Sequence, residues 1–501
     1  MSINIFFQFA TLIIFISLRF YLLLKSKKRA IDGYYWSLYR KEALNQNIVP
    51  PILEQFILDI RQWYPPLFGY MLSKLSDYFI NNSKVFILKL NLLRIGIILS
   101  LPYFLGITID VQLLIFLLII FFSAPILAYY DNQINSRILG AILLDLLVIQ
   151  WIIFFHHGTI YLLPLIILFN IVLLFLHKMS LQLYVVILLS ISIYTNSLWP
   201  AISLVISFLI SFFFLGYKKY FLAHIEIVKF WGRNKYNLGS HQFYESPIYG
   251  IPGFLYKNRL HGGGIKTFKR KLALVFGMFP LIFFWLAVFE INVVSAIILA
   301  SILLILVSSF IPTFYCIGAG SLYNYNLVSL VCFYFVISPP SFSLENLLIY
   351  VFLVLMSVIA ISKLLLKNNE YNDNELDQAI DFINTSDLNR LLVIPFQLPD
   401  EIAFKTNKRV FWGAHGLGFL WLEKYFPLMN DRIECAIKEW NLGAVVLEKS
   451  YWPEFFDQVS QDIFKKVFEN DSYCILAVKN WKDKDIKPGW AMKIYPKIQS
   501  Q

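Results

Sequence analysis

The feature that most constrains this chain is the repeated occurrence of long apolar stretches separated by polar segments. Because the bilayer core offers the backbone no water, a span is built as a helix of about 20 mainly apolar residues. The sequence therefore predicts a polytopic α-helical membrane protein with about 11 transmembrane helices. The predicted spans are residues 3–24, 87–107, 110–129, 138–155, 159–177, 180–195, 197–216, 272–290, 292–311, 324–338 and 345–366.

The composition supports this class. Hydrophobic residues make up 58% of the 501 and charged residues 15%, whereas a soluble domain carries about 25% charged residues. The formal net charge of +11 belongs to the loops, and in a membrane protein it indicates contact with anionic membrane lipids or phosphorylated lipids. We expect no nucleic-acid partner, because the sequence contains no soluble basic domain to bind one.

Two large loops and a polar C-terminal part interrupt the apolar pattern. The loops cover residues 25–86 and 217–271, and we predict a transmembrane domain over 1–366 and a soluble domain over 367–501. In the soluble part, strand patterns alternate with helical patterns, which indicates a C-terminal α/β domain. The predicted strands are 391–395, 444–447 and 473–478, and the predicted helices lie near 376–384, 430–440 and 453–468.

The opening loop concentrates acidic and aromatic residues beside the first span. Asp32 precedes Tyr34, Tyr35 and Trp36, as expected at a membrane interface, where aromatic rings concentrate. Partial desolvation there would raise the pKa of the carboxylate and suit it to general-base catalysis. The alternative is a helix N-cap, a position that Asp favours, and the two roles can coexist.

Further along this loop, Glu54, Asp59 and Arg61 form a second charged group. The two acids are candidates for placing an acceptor or a metal ion, and Arg61 is a candidate for binding a phosphate; a solvated loop face is the alternative. The Tyr64-Pro65-Pro66 run that follows predicts an extended bend that positions a helix over 68–75, because proline fixes φ and lacks a backbone donor.

Two other loops supply candidate ligands. Asp131 and Arg137 follow the third span and would position a metal ion or a phosphate, unless they are ordinary flanking residues. In the 217–271 loop, Lys257 and Arg259 are candidate phosphate contacts, against the reading of a solvated basic loop. No histidine spacing there matches a zinc site, and the sequence leaves open whether a divalent metal ion is a cofactor.

These features resemble the integral-membrane glycosyltransferases of the C superfamily, such as the dolichyl-phosphate-mannose mannosyltransferases and aminoarabinose transferases. The resemblance rests on the first span, on Asp32 with its aromatic neighbours, on the Tyr64–Leu67 bend, and on many spans before a soluble tail. It extends loosely to residues 131–137 and 318–323. The chain departs from the family at Trp36, where relatives often carry histidine, and at Leu322, where they commonly carry arginine.

The resemblance implies a function and a side of the membrane. It implies a polyprenyl-phosphate-linked sugar as donor, Asp32 as the base that activates an acceptor hydroxyl, and inversion at the anomeric carbon. The acceptor would be a cell-envelope glycan, a lipid or a protein. It further implies a multi-pass cell-membrane protein whose large loops and tail are extracytoplasmic, whereas the basic residues that flank the loops predict the cytoplasm by the positive-inside rule.

Two other classes remain as alternatives. A transporter or flippase for a lipid-linked substrate would carry inverted repeats and ionisable groups near the middle of the membrane. The sequence shows no internal repeat, and Asp145 is the clearest acid within a predicted span, which favours the enzyme. A membrane scaffold would explain the tail and would leave the opening loop without a role.

Overall fold

A computed structural model describes most of the chain. The described residues are 3–25, 31–58, 64–76, 78, 83–131, 134–235, 268–318, 320–341, 343–369, 373–395, 398–413, 432–450, 455 and 459–483.

Helices dominate the described part. In chain order they are α1 (Ile3–Lys25), α2 (Ile31–Gln46), α3 (Leu67–Lys74), α4 (Ser83–Leu105), α5 (Val111–Ser123), α6 (Pro125–Tyr130), α7 (Arg137–His157), α8 (Leu163–Leu174), α9 (Lys178–Thr195), α10 (Trp199–Phe214), α11 (Lys218–Arg233), α12 (Phe268–Gly277), α13 (Ile282–Ala287), α14 (Val293–Phe310), α15 (Asn324–Ile337), α16 (Leu344–Asn369), α17 (Asp373–Thr385), α18 (Pro399–Thr406) and α19 (Ile433–Glu439).

Six stretches of these helices are long and apolar enough to cross a membrane; they lie in α4, α7, α9, α14, α15 with its preceding turn, and α16. The pair α10 and α11, bent by 108°, makes a seventh if it counts as one span, and α1, α5 and α8 contain shorter apolar helices. Each of the eleven predicted spans coincides with apolar helix. The number that crosses the bilayer stays a prediction.

Prolines break two of the predicted spans. The stretch 110–129 is divided into α5 and α6, because α6 begins at Pro125, which has no backbone N–H to continue a helix. The stretch 272–290 is divided into α12 and α13, and the break contains Pro280. The prediction of one continuous helix in each stretch was wrong for this reason.

Helix α15 lies at the centre of the bundle, and almost all of its residues are buried. Two charged side chains from its neighbours meet beside it. Arg94 of α4 and Asp145 of α7 are both fully buried and lie 2.7 Å apart. Arg94 also donates to the Tyr325 carbonyl at 3.0 Å, and the Ser329 hydroxyl donates to Asp145 at 2.9 Å. A buried charge is tolerated only when it is paired, so these bonds fix the three helices relative to one another.

The C-terminal part forms a four-stranded mixed sheet with the order β1-β2-β4-β3. The strands are β1 (Leu391–Ile394), β2 (Ala444–Glu448), β3 (Phe464–Glu469) and β4 (Tyr473–Val478). β1 and β2 are parallel, and the other pairs are antiparallel. The three predicted strands are confirmed. The predicted helix near 453–468 was wrong where β3 begins, because charged lysines on an edge strand do not give an alternating apolar pattern.

The opening loop joins this sheet. The amide of Val410 donates to the Gln55 carbonyl at 2.7 Å, and the amides of Ile57 and Leu58 donate to the carbonyls of Val410 and Phe411. Val410 in turn bridges to Leu391 of β1. Residues 55–58 therefore form a segment that pairs with residues 410–411 through an isolated bridge, and the opening loop is tied to the C-terminal part.

Helix α2 packs against α3 through its aromatic face. The Trp36 ring lies 4.6 Å from the Phe68 ring and 5.6 Å from the Tyr64 ring. Gly69 of α3 lies so close to Tyr39 that a Cβ at this glycine would overlap the ring. The predicted helix after the proline pair is confirmed as α3. Because Gly69 has no side chain, α2 can approach α3 closely here.

We therefore expect Gly69→Ala to lower the thermal unfolding temperature. The added methyl group would meet a buried ring that has no room to move, and overpacking of this kind costs about 1–3 kcal/mol. Gly96→Ala is the matched control, because Gly96 is also helical and a Cβ there meets nothing within 4 Å. An unchanged melting temperature for Gly69→Ala, measured on the purified protein, would contradict this packing.

Candidate active site

Asp32 lies in the first turn of α2 and is half-buried. A carboxylate in this position is favoured by the positive end of the helix dipole. Residues four and seven positions later share its helix face, so Asp32 lies on the same side of α2 as Trp36 and Tyr39. That side faces Tyr64 and α3.

Tyr64 is the buried neighbour of Asp32. Its hydroxyl forms a 3.0 Å hydrogen bond with the Ser136 hydroxyl. Burial raises the pKa of Tyr64 to about 12; the charge of Asp32 acts in the same direction and that of Arg137 in the opposite direction. Tyr64 is therefore a neutral hydrogen-bonding group near both the Asp32 carboxylate and the Arg137 guanidinium.

Arg137 begins α7 and places its guanidinium 4.0 Å from the centre of the Tyr130 ring. Its Nε and one terminal nitrogen are buried and have no hydrogen-bond partner within the described part of the chain. Buried donors are nearly always satisfied in folded proteins, and arginine matches the geometry of phosphate oxygens. The arrangement therefore leaves donors available to an anionic group.

His177 and Lys178 complete the cluster from the start of α9. The His177 ring caps this helix by accepting from the Ser180 amide at 3.2 Å. Burial lowers the pKa of His177 well below its usual value, Arg137 and Lys178 lower it further, and Asp32 opposes them. The Lys178 ammonium lies 5.9 Å from the centre of the Tyr64 ring.

An apolar cavity of about 320 Å³ begins at this cluster and lies between α8, α9, α10 and α11. Its lining is apolar and aromatic apart from Lys178, Gln182 and His224, and it includes Pro65 of the opening loop. Gln182 accepts from the Tyr323 hydroxyl at 3.1 Å, and the His224 Nδ1 is buried without a described partner. Cavities of this size and lining bind small apolar ligands through a few placed polar groups.

The other predicted residues fall elsewhere. Asp131 is buried, pairs with Arg19 at 2.7 Å and accepts from the Tyr325 hydroxyl at 2.6 Å; both carboxylate oxygens thus have protein partners. Glu54 is exposed in the turn before the segment 55–58. Four predicted residues lie outside the described residues: Asp59, Arg61, Lys257 and Arg259.

The sequence did not single out Ser136, His177 or Lys178. Lys178 stands directly before a long apolar run, which is the signal that could have found it, but basic residues flank most spans and the signal is weak. Ser136 and His177 carry no such signal, because only the packing of α7 and α9 brings them beside Tyr64. Within the described residues, no group of three or more His, Cys, Asp or Glu could hold a metal ion.

The buried His177 predicts a pH dependence of stability. The unfolded chain takes up a proton near the usual pKa of about 6.5, and the folded chain does so only at lower pH, so protons bind first to the unfolded state. Stability contributed by the neutral ring is therefore present above about pH 6.5 and is lost as the pH falls from there towards the folded pKa.

His177→Asn should flatten this dependence, because Asn still accepts from the Ser180 amide as a cap and does not titrate. The unfolding temperature of the unmodified protein should fall more than that of the variant between about pH 7 and about pH 5, a range that includes the usual pKa of about 6.5. Equal slopes for the two proteins would show that His177 is not held neutral by burial.

No protein-family model matches the chain, and no curated protein is similar to it in sequence. Solved structures are similar to it. ArnT from Cupriavidus metallidurans, in the apo state, aligns over 93% of this chain and 97% of its own, with a TM-score of 0.51 and 11% identity. The apo Archaeoglobus fulgidus oligosaccharyltransferase aligns over 95% of this chain and 75% of its own, with a TM-score of 0.54 and 10% identity.

The same oligosaccharyltransferase, tethered to an acceptor peptide containing the NVT sequon, aligns over 95% of this chain and 74% of its own, with a TM-score of 0.51 and 10% identity. At these identities the likeness establishes the fold. The chain thus shares its fold with ArnT and this oligosaccharyltransferase, which confirms the fold that the resemblance in sequence implied.

Proposed function

We propose that this chain, with the fold it shares with ArnT and an oligosaccharyltransferase, is a membrane glycosyltransferase that moves a sugar from a polyprenyl-phosphate donor to an acceptor. One observation carries the proposal. Lys178 lines the apolar cavity and lies beside Tyr64, in the same cluster as Asp32 and the two buried Arg137 donors that have no partner among the described residues. A ligand with an apolar chain, an anionic head and a sugar matches the cavity, the cations and the carboxylate.

The donor would lie with its chain in the cavity and its phosphate at the polar end. Burial of apolar surface stabilises such a chain by about 25 cal/mol per Å². Lys178 supplies a cation in the cavity lining, and Arg137 supplies two buried donors. Arg61, Lys257 and Arg259 stay as proposed further phosphate contacts.

In the proposed reaction, the Asp32 carboxylate takes the proton of an acceptor hydroxyl. The hydroxyl oxygen forms a bond to the anomeric carbon as the bond from that carbon to the phosphate oxygen breaks, and polyprenyl phosphate leaves with the electron pair. Attack opposite the leaving group inverts the anomeric centre. The protein supplies positioning, one base and charge compensation for the departing phosphate. A glycan, a lipid and a protein all remain as acceptor classes, with Glu54 and Asp59 as proposed acceptor-placing residues.

Transfer from radiolabelled polyprenyl-phosphate sugars by the purified protein tests this scheme. Asp32→Asn should lower kcat at least about 100-fold, since general-base catalysis contributes about 10²–10⁴, and Asp32→Glu should retain part of the activity. Glu469→Gln, in an exposed pair on β3, is the control. A folded Asp32→Asn protein with full transfer activity would exclude Asp32 as the base.

Lys178→Met should mainly weaken donor binding. Loss of one charge-assisted contact costs about 1.5–3 kcal/mol, so the KM for the lipid-phosphate donor should rise about 10- to 100-fold, and Lys178→Arg should restore most of the affinity. Titration of the unlabelled polyprenyl phosphate as a competitive inhibitor gives the same comparison without turnover. Unchanged inhibition in Lys178→Met would place the phosphate elsewhere.

We further propose that residues 367–501 form a soluble domain on the extracytoplasmic side, with the large loops. The native thiol of Cys435 tests the side, because it is exposed on α19. A membrane-impermeant maleimide should label it in intact cells, and Cys435→Ser should remove the label. Labelling only after permeabilisation would place these parts in the cytoplasm, as the charge distribution predicts.

A further inference from the structure

Helix α2 is held between two parts of the molecule. Asp32, Trp36 and Tyr39 lie on one side of it, towards α3. Tyr34 lies about 200° around the helix from Asp32, at 100° per residue, and therefore faces the opposite way. There it meets α18, where its ring lies 6.0 Å from the Phe404 ring.

The contact between Tyr34 and α18 is polar as well as apolar. The Tyr34 hydroxyl donates to the Glu401 carboxylate at 2.8 Å, and both side chains are buried. Glu401 pairs with Lys405 at 2.9 Å, and Lys405 reaches Asp377 of α17 at 2.8 Å. A buried carboxylate needs its partners, so the hydroxyl of Tyr34 has one favoured position.

The loop after α2 is fastened to the same surface. The segment 55–58 forms main-chain hydrogen bonds with residues 410–411. The Gln55 side-chain amide donates to both Glu42 of α2 and Asn407 after α18. Rotation of α2 about its axis would break the Tyr34 bond and strain this loop. The C-terminal part thus opposes the movement that would turn Asp32 away from Tyr64 and α3.

We infer that Glu401 is a positioning residue, which through Tyr34 sets the rotation of α2 and so the direction of the Asp32 carboxylate. This inference rests on the proposed function for its effect on transfer. We call the contact of Glu401 with Tyr34 of α2 the clamp. The clamp does not depend on the reaction and has its own measurement.

The test compares Tyr34→Phe, Glu401→Ala and Glu401→Gln in the purified full-length protein. Tyr34→Phe and Glu401→Ala should lower kcat about tenfold with the donor KM unchanged, because small misplacements of a reacting group cost about this much or more. Glu401→Gln should recover most of the rate, since its side-chain carbonyl still accepts from Tyr34. Glu469→Gln, at an exposed acid of the C-terminal sheet, should leave kcat unchanged.

Hydrogen exchange of the α2 amides supplies the second readout. Exchange over Ile31–Gln46 should quicken about fivefold or more in Tyr34→Phe and Glu401→Ala, as expected when a local unit is loosened, and should return towards the original rate in Glu401→Gln. The exchange of α7 should not change. This measurement needs no donor, so it tests the clamp even when no supplied sugar is transferred.

Several results would overturn the inference. They are unchanged α2 exchange in Tyr34→Phe, full kcat in both disrupting variants, or an equal loss of kcat and melting temperature in Glu401→Gln and Glu401→Ala. A different pattern would overturn the proposed function: no transfer by the unmodified protein from any polyprenyl-phosphate sugar, or full transfer by Asp32→Asn. In that case the exchange rates alone decide whether the clamp exists.

Discussion

The buried pairing of Arg94 with Asp145 fixes the position of α15. Through α15 it also fixes the chain that leads into the candidate active site. Moving either charge out of water costs several kcal/mol unless the two meet with good geometry, and the structure joins them at 2.7 Å. Tyr325 of α15 links this pair to Asp131, because its carbonyl accepts from Arg94 and its hydroxyl donates to Asp131. Asp131 holds the chain just before Ser136 and Arg137, the two residues that face Tyr64.

The opening loop contacts both the helical bundle and the C-terminal part. Its aromatic residues serve both sides: Trp36 packs against Phe68 of α3, and Tyr34 bonds to Glu401 of α18. The segment 55–58 adds main-chain hydrogen bonds to residues 410–411, and such bonds do not depend on side-chain identity. A short loop helix could not hold a carboxylate in one direction without such contacts, since isolated helices of this length are marginal in water.

The sequence predicts the helices well and the site only in part, for different physical reasons. An apolar run is a local property, so every predicted span coincides with helix, and the errors lie at Pro125 and Pro280. β3 was missed because an edge strand with two exposed lysines lacks a periodic pattern. Of the proposed site, the sequence singles out Asp32, Tyr64 and Arg137, where residue types are unusual for their surroundings. Ser136 and Lys178 belong to it only through the packing of separate helices, which no single segment encodes.

The same geometry bears on the choice between an enzyme and a transporter. A transporter for a lipid-linked substrate needs ionisable groups along the path of the polar head. Here the ionisable pair Arg94 and Asp145 has no solvent exposure and does not line the cavity. The cavity lining is apolar and aromatic apart from Lys178, Gln182 and His224. Under the proposed function, a lipid chain would lie in this cavity with its polar head near Lys178. This arrangement favours chemistry at the head over its passage across the membrane.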